Sequence, residues 1–384
     1  MTKVAVFIHG GIGGGFFSQG QPPIQQLVTR LARLFEMEVY SLLPPGKDFI
    51  PQGFTIVHPP WRGWSWAGWA YLTLMFCIRN IRNPCQALYA FWGYPAGSLI
   101  VGLGQLFGIP SIVHLQGGDA AGIRSLEYGV FLHPLRAAIC RSVYTKCSRL
   151  IVLSEYQAAS LRRNGVDREA MIIPYGPDTT SFTFISERFK QPAVRFLHVA
   201  NQTPVKGQEM MLKVFSIVSK SFTSRLVIVG ADYYEGKLKD WCVDLEIEDK
   251  VSFLGPQPHE RMPELYHNAD ILLHTPEYEG QGVVFAEAAA CGTLIAGTEV
   301  GMLSDMGHAC ALIVKPGQYQ VLAEKITTLL STRVDYRPMQ RKALNWIAEK
   351  DVNYTVAELN RVLSELIPYA DPKRPKESSR QAER

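Results

Sequence analysis

With 384 residues, 47% of them hydrophobic, the chain is long enough to bury two ordinary cores, and two domains are the first expectation. Its seven cysteines are scattered, odd in number and form no C-x-x-C, so neither a disulfide framework nor a zinc site is indicated and a reducing compartment is expected. The net charge of +4 is uneven: residues 1–180 hold 15 Lys and Arg against 9 Asp and Glu, which opens this half to an anionic partner such as phosphate or lipid, while no nucleic-acid module is present.

In chain order, Met1-Thr2-Lys3 leads into the apolar run Val4 to Ile8, too short for the hydrophobic region of a signal peptide, and a cytoplasmic location is expected. The run ends at His9 and a glycine loop, Gly10 to Gly15, after which Ile24 to Phe35 has the apolar spacing of a helix. Alone, these glycines are a weak dinucleotide fingerprint, and with no acidic residue evident at the end of a second strand a nicotinamide enzyme is disfavoured. Residues 54–57, 87–90 and 111–115 read as further strands, with helices near 67–81 and 96–107.

No acidic residue falls between Asp48 and Asp119, whereas Arg62, Arg79 and Arg82 do. The mostly apolar stretch from Trp64 to Ile78 is short of the roughly 20 residues that span a bilayer. It reads as a helix covering the first sheet. Trp61, Trp64, Trp66 and Trp69 beside Arg62 suit either core packing or a membrane interface, so peripheral contact with the inner membrane face is an open expectation.

The alternation of strand and helix continues, which argues for parallel sheets covered by helices on both faces. A polar stretch bearing Pro and Gly, from Pro174 to Pro192, interrupts it as a link. The expected organisation is a first domain over 1–178, a linker over 179–193, a second domain over 194–337, helices at 338–367, and a charged, disordered tail over 368–384.

The most informative segment is Glu279-Gly280-Gln281-Gly282-Val283-Val284-Phe285-Ala286-Glu287, followed by Ala288-Ala289-Ala290-Cys291-Gly292. The glycines suit a tight turn with backbone N–H groups facing a ligand, and a buried helix starts at Val283. Glu279 then sits in the loop and Glu287 about a turn and a half into the helix, so both can face one cleft and accept hydrogen bonds from a polyhydroxylated ligand.

This segment resembles the E-x(7)-E motif of the retaining glycosyltransferases of family 4. The resemblance extends to Leu197 through Gly207, similar to the loop with that family's phosphate-binding Lys-Gly, to the strands at Val227–Gly230 and Val251–Gly255, and to Leu150–Ser154 and Ile173–Asp178. It covers roughly residues 1–367. It implies an α/β fold of the GT-B type, with two facing Rossmann-like domains and a C-terminal helix returning to the first, so that the helices at 338–367 are expected to pack back on that domain.

The implied activity is transfer of a sugar from a nucleotide sugar, UDP- or GDP-linked, to a glycan or lipid-linked acceptor with retention of configuration, without a cofactor or an obligatory metal. Rival expectations are a glycoside-cleaving or phosphorolytic enzyme on the same fold, and a non-catalytic partner subunit. By the resemblance, Glu279 and Lys206 carry catalysis, and Gly280, Gln281, Gly282, Glu287, Asn201, Gly14 and Gly15 bind the donor. Gln116 and Asp119 lie on the acceptor side. Read without it, Glu287 complements a helix dipole, Lys206 is a solvated lysine, and Asp119 stabilises a turn. Two positions depart from the family pattern: Asn201 stands where an arginine is common and Gln116 where a histidine is usual.

Overall fold

The apolar run at the N-terminus becomes β1 (Lys3–Ile8), buried along its whole length between two parallel neighbours. This is what a strand covered on both faces requires. The structure is a computed structural model and describes residues 1–18, 20–61, 66–332 and 335–367. The first sheet adds β2 (Glu36–Ser41), β3 (Phe54–Val57), β4 (Ala87–Phe91), β5 (Ser111–His114), β6 (Arg149–Val152) and β7 (Met171–Ile172), in the order β3-β2-β1-β4-β5-β6-β7 and parallel throughout. Its helices are α1 (Pro22–Leu31), α2 (Trp66–Arg82), α3 (Ser98–Phe107), α4 (Pro134–Lys146) and α5 (Glu155–Arg163).

The helix expected to reach Phe35 ends at Leu31, because a turn brings Phe35 into the core just before β2. β2 itself escaped the pattern reading, since Glu36 and Glu38 break its apolar run. Glu38 is tolerated in the interior because Lys3 at 3.1 Å, Arg79 at 2.5 Å and the Tyr40 hydroxyl at 2.7 Å surround it. These partners hold its carboxyl below the usual range against the effect of burial.

The second sheet repeats the arrangement with β8 (Val194–Val199), β9 (Ser224–Val229), β10 (Val251–Gly255), β11 (Ile271–His274), β12 (Leu294–Thr298) and β13 (Leu312–Val314), ordered β10-β9-β8-β11-β12-β13. Its helices are α6 (Gln208–Ser221), α7 (Lys237–Asp244), α8 (Met262–His267), α9 (Val283–Cys291), α10 (Met302–Met306), α11 (Tyr319–Thr332) and α12 (Arg337–Ala348). The chain closes with α13 (Val352–Leu366). In each sheet the winding reverses once, between β1 and β4 and between β8 and β11. Ligands of doubly wound sheets bind at the carboxyl ends of the strands at such reversals.

Of the C-terminal helices expected to lie on the first domain, α13 packs Leu359, Val362 and Leu363 into the core beside Ile24, Leu27 and Leu31 of α1. The other is corrected: α12 buries Gln340, Ala343 and Ile347 on the alanine-rich α9 of the second domain. The small side chains of Ala286, Ala289 and Ala290 let α12 approach α9 closely.

The expected linker over 179–193 is likewise part of the second domain. Phe182 is buried in that core, and the Arg188 guanidinium donates to the carbonyls of Tyr266, His267, Ala269 and Gly292 at 2.8–3.1 Å. The chain crosses between domains at Tyr175–Asp178 and again near Asp351, and the crossings are tied to each other: Thr355 Oγ1 donates to Pro174 O at 2.7 Å and accepts from Gly176 N at 3.0 Å.

All seven cysteines are free thiols. No helix among the described residues is long and apolar enough to cross a membrane. Trp69 packs against the core, whereas Trp66 is 84% exposed. Arg62, Trp64 and the expected tail over 368–384 lie outside the described residues.

Candidate active site

The two reversals face each other across a cleft of about 690 Å³ with walls from both domains. From the second domain come the loop after β8, with Asn201 and Lys206, and the loop after β11 that runs through Glu279 into α9. From the first come the loop after β1, with Gly10, Gly15, Phe16 and Phe17, and Gln116 and Gly117 after β5.

Lys206 and Glu279, 73 residues apart, form an ion pair with Nζ 2.5 Å from Oε1. Beneath it, His274 Nε2 stands 3.4 Å from the same oxygen. Burial works to raise the Glu279 pKa, but the Lys206 ammonium and the His274 hydrogen bond outweigh it and bring it down to about 2. The carboxylate is therefore ionised at any working pH and acts only as an acceptor. The His274 pKa is lowered, chiefly by burial and against the pull of Glu279, which favours the neutral ring.

Gly280 and Gly282 are glycine for different reasons. A Cβ at Gly280 would lie 2.8 Å from Gln157 Nε2, and the Gly280 carbonyl accepts from Ser154 Oγ at 2.6 Å, so the first domain presses on this backbone. Gly282 has φ +83° and turns the chain into α9, a conformation that L side chains resist. Gln281, between them, faces the other domain: its side chain accepts from Tyr175 N at 2.8 Å and donates to Tyr175 O at 2.7 Å. This clamp engages its side chain and leaves the expected role of its backbone N–H apart.

Glu287, one turn inside α9, has both oxygens engaged, one at 2.9 Å from His259 Nε2 and one accepting from Tyr266 OH at 2.8 Å. Burial works to lower the His259 pKa, yet the Glu287 hydrogen bond and charge raise it on balance. Neither partner could be read from the sequence, since they lie 28 and 21 residues away on the β10–α8 connection and on α8.

Residues 20–176 match the family described as Glycosyl transferase 4-like domain, and residues 181–346 match Glycosyl transferases group 1. The chain belongs to the GT-B glycosyltransferases of family 4 type. A curated relative, the GDP-mannose-dependent monoacylated alpha-(1-6)-phosphatidylinositol monomannoside mannosyltransferase of Corynebacterium glutamicum, is 26% identical over 238 residues, which cover 57% of this chain and 61% of the relative. The chain thus spans about three fifths of that relative's length.

Among solved structures, Anabaena HepE in complex with UDP and glucose superposes with a TM-score of 0.78 at 17% identity, covering 95% of this chain and all of that one (100%). Sucrose-phosphate synthase of Thermosynechococcus elongatus gives 0.81 at 18% identity, covering 95% and 99%. At these identities the likeness is one of fold: two facing Rossmann-like domains of the GT-B type.

On the first-domain wall of this family member, Gly15 lines the cleft with φ +69° and open space where a Cβ would stand, whereas Gly14 is not among the wall residues and its carbonyl accepts from Gly20 N at 2.7 Å. Gln116 lines the cleft but points its amide at Tyr175 OH, 2.9 Å away, and at His114 O, 3.2 Å away. Asp119 is buried, with Oδ2 accepting from Gln116 N at 2.8 Å, and burial pushes its carboxyl up to about 7. It borders a second cavity of about 540 Å³ walled by His9, Trp92, Tyr94, Tyr128 and Arg136. Asn201, on the opposite wall, accepts from Ala231 N at 3.1 Å through its side-chain oxygen.

Among the described residues no group of three or more His, Cys, Asp or Glu could hold a metal ion. The residues that sequence reasoning missed, His274, His259, Tyr266 and Tyr175, are buried or half-buried groups whose partners are distant in the chain.

Proposed function

We propose that the protein transfers a sugar from a UDP- or GDP-linked donor to a glycan or lipid-linked acceptor, with retention of configuration. The observation that carries this reading is the Lys206–Glu279 pair at the wall of an interdomain cleft, next to the start of α9. Glu279 and the backbone N–H groups of Gly280, Gln281 and Gly282 hold sugar hydroxyls, while Lys206 meets the diphosphate and stabilises the charge that develops as the nucleotide leaves. Glu287 accepts from the ribose, with His259 and Tyr266 holding it in place. Asn201 and Gly15 complete the donor side, and Gly14, expected there from sequence, stands off the wall.

The acceptor oxygen attacks C1 from the face the nucleotide leaves. The C1–O bond to phosphate breaks, and the leaving phosphate oxygen takes the hydroxyl proton. Lys206 and the helix start supply the charge stabilisation that a divalent ion supplies elsewhere, so no metal is required. On the acceptor side, Gln116 and Asp119 shape the wall from behind, and the adjoining cavity with Trp92 and Tyr94 offers aromatic faces to a sugar ring.

The relatives support both donor classes by name, one GDP-mannose-dependent, the other bound to UDP. The test is product analysis in EDTA: a product whose NMR anomeric coupling matches the donor is expected, and an inverted product or a strict manganese requirement overturns the reading.

The same proposal places the protein on the cytoplasmic face of a membrane through α2. Its inward positions Gly68, Leu72, Phe76 and Asn80 are buried, and on the opposite side Trp66 (84% exposed), Leu74 (58%), Ile78 (38%) and Ile81 (75%) form an apolar stripe, with Arg82 at its end. Trp69, for which the sequence left core packing and membrane contact both open, is partly buried against the core. Aromatic rings favour headgroup depth and an arginine near anionic lipid gains about 1 kcal/mol. Co-sedimentation with liposomes of rising anionic content is expected for the wild type and weakened by Trp66→Ala/Ile81→Ala. Equal sedimentation of both proteins removes α2 from the proposal.

A further inference from the structure

At the end of β11 an imidazole stands where a leucine would be buried without cost. Burial of a polar ring is unfavourable unless its polar atoms find partners. His274 is 1% exposed, and its Nε2 lies 3.4 Å from Glu279 Oε1. A carboxylate only accepts, so the ring proton is on Nε2. Nδ1, which has no partner among the described residues, is then a lone pair and not an N–H.

The ring also packs, tilted, 5.1 Å from that of His198 and 5.2 Å from that of Phe285. His198 Nδ1 lies 2.9 Å from Leu273 O, so it carries the proton there and presents Nε2 to Gln208 Nε2 at 3.3 Å. Gln208 in turn donates to Asn201 O at 3.0 Å. A buried polar layer thus runs under both loops of the donor wall: the end at His274 holds Glu279, and the end at Gln208 holds the start of the loop that carries Lys206.

We propose that His274 is a positioning residue for the donor sugar. Lys206 and His274 both grip Oε1 of Glu279, which aims Oε2 at a sugar hydroxyl, and His198 with Gln208 keeps the Lys206 loop in register with it. The proposal rests on the reading that Glu279 and Lys206 hold the donor. It assigns His274 no contact with substrate. A carboxylate held from beneath and from the side keeps its direction when the sugar arrives, whereas one held by a flexible lysine alone does not.

The test uses the full chain and the rate of nucleotide release from UDP-glucose and GDP-mannose, with binding of UDP and GDP measured by thermal shift. His274→Leu is expected to lower kcat about tenfold to a hundredfold while UDP or GDP binding stays within about twofold. His274→Gln, whose amide reaches Glu279, recovers most of the loss. His274→Asn, too short to reach, does not. Should the leucine variant fail to fold, the Gln and Asn pair carries the test alone, and equal kcat in these two overturns the proposal.

Glu279→Ala run in parallel separates the two readings. If it turns over like the wild type, the donor reading fails. If it is inactive while folded His274→Leu keeps wild-type kcat, the donor reading stands and His274 is only part of the core.

Discussion

On the second-domain wall of the cleft, Lys206 and His274 converge within 3.4 Å on one oxygen of Glu279, whereas on the first-domain side Gln116 and, behind it, Asp119 direct their polar atoms back into their own loop and to Tyr175. Both walls stand at the carboxyl ends of a sheet wound the same way, the first longer by one edge strand, so topology does not explain the difference. One wall offers charge already held in place; the other offers glycine turns, aromatic faces and backbone. A binding site for a diphosphate and a defined sugar needs fixed charge, because a charge that must be rearranged during reaction contributes less to the transition state. A wall that meets an acceptor sugar has less need of it.

The sharpest way to break this comparison is to remove the fixed charge. Lys206→Ala and Glu279→Ala are each expected to lower turnover about 100-fold or more, through lost phosphate stabilisation and lost sugar positioning. Steady-state kinetics on folded protein checks this, and near wild-type turnover in Lys206→Ala would remove the diphosphate from this wall. Next in size is Glu287→Ala, expected to weaken nucleotide binding about tenfold, since a hydrogen bond to a charged group contributes about 1.5–3 kcal/mol. Calorimetric titration with UDP and GDP reads it, and unchanged affinity would make Glu287 a partner of His259 and Tyr266 only.

Gln116→Ala is expected to change kcat less than about tenfold, because the amide it removes serves Tyr175 rather than the cleft. A loss as large as that of Glu279→Ala would mean that the first-domain wall rearranges to bring Gln116 onto the substrate.

The smallest effect concerns pH and stability. Asp119 has its folded pKa raised to about 7 by burial, above its ordinary 3.8. A group raised in this way contributes stability that is fully present below pH 3.8 and lost as the pH rises through 7. Asp119→Asn keeps the acceptor for Gln116 N and carries no charge, so it should melt about 2–4 °C above the wild type at pH 8 and lose that advantage by pH 4. Glu279 behaves oppositely: with its pKa lowered to about 2 from 4.5, its contribution is present above 4.5 and lost only as the pH falls toward 2. A melting profile in which Asp119→Asn follows the wild type at every pH would show that the Asp119 loop does not hold a buried charge.

Much of this protein was legible before any coordinates because the decisive groups are close together in the chain. Glu279 through Gly292 carries its turn, its helix start and both carboxylates in one stretch, and the apolar runs of β1, β4 and β5 are read directly from the residues that must be buried on both faces of a parallel sheet. Two parallel-sheet domains follow from such local patterns, whereas the pairing of a lysine loop with a glutamate loop and the reach of the last helix toward the first domain come from the resemblance to the family.

What lay beyond the sequence is set by packing between distant segments. Nothing near Glu287 in the chain points to His259 or Tyr266, and nothing near Glu279 distinguishes His274 from a strand-end histidine of the core. The resting place of α12 on α9, the anchoring of residues 179–193 by Arg188, and the inward turn of Gln116 were decided the same way. A local run of residues determines its own periodicity and turn chemistry, whereas the partner that satisfies a buried polar atom is chosen by whichever segment the finished fold brings within about 3 Å of it.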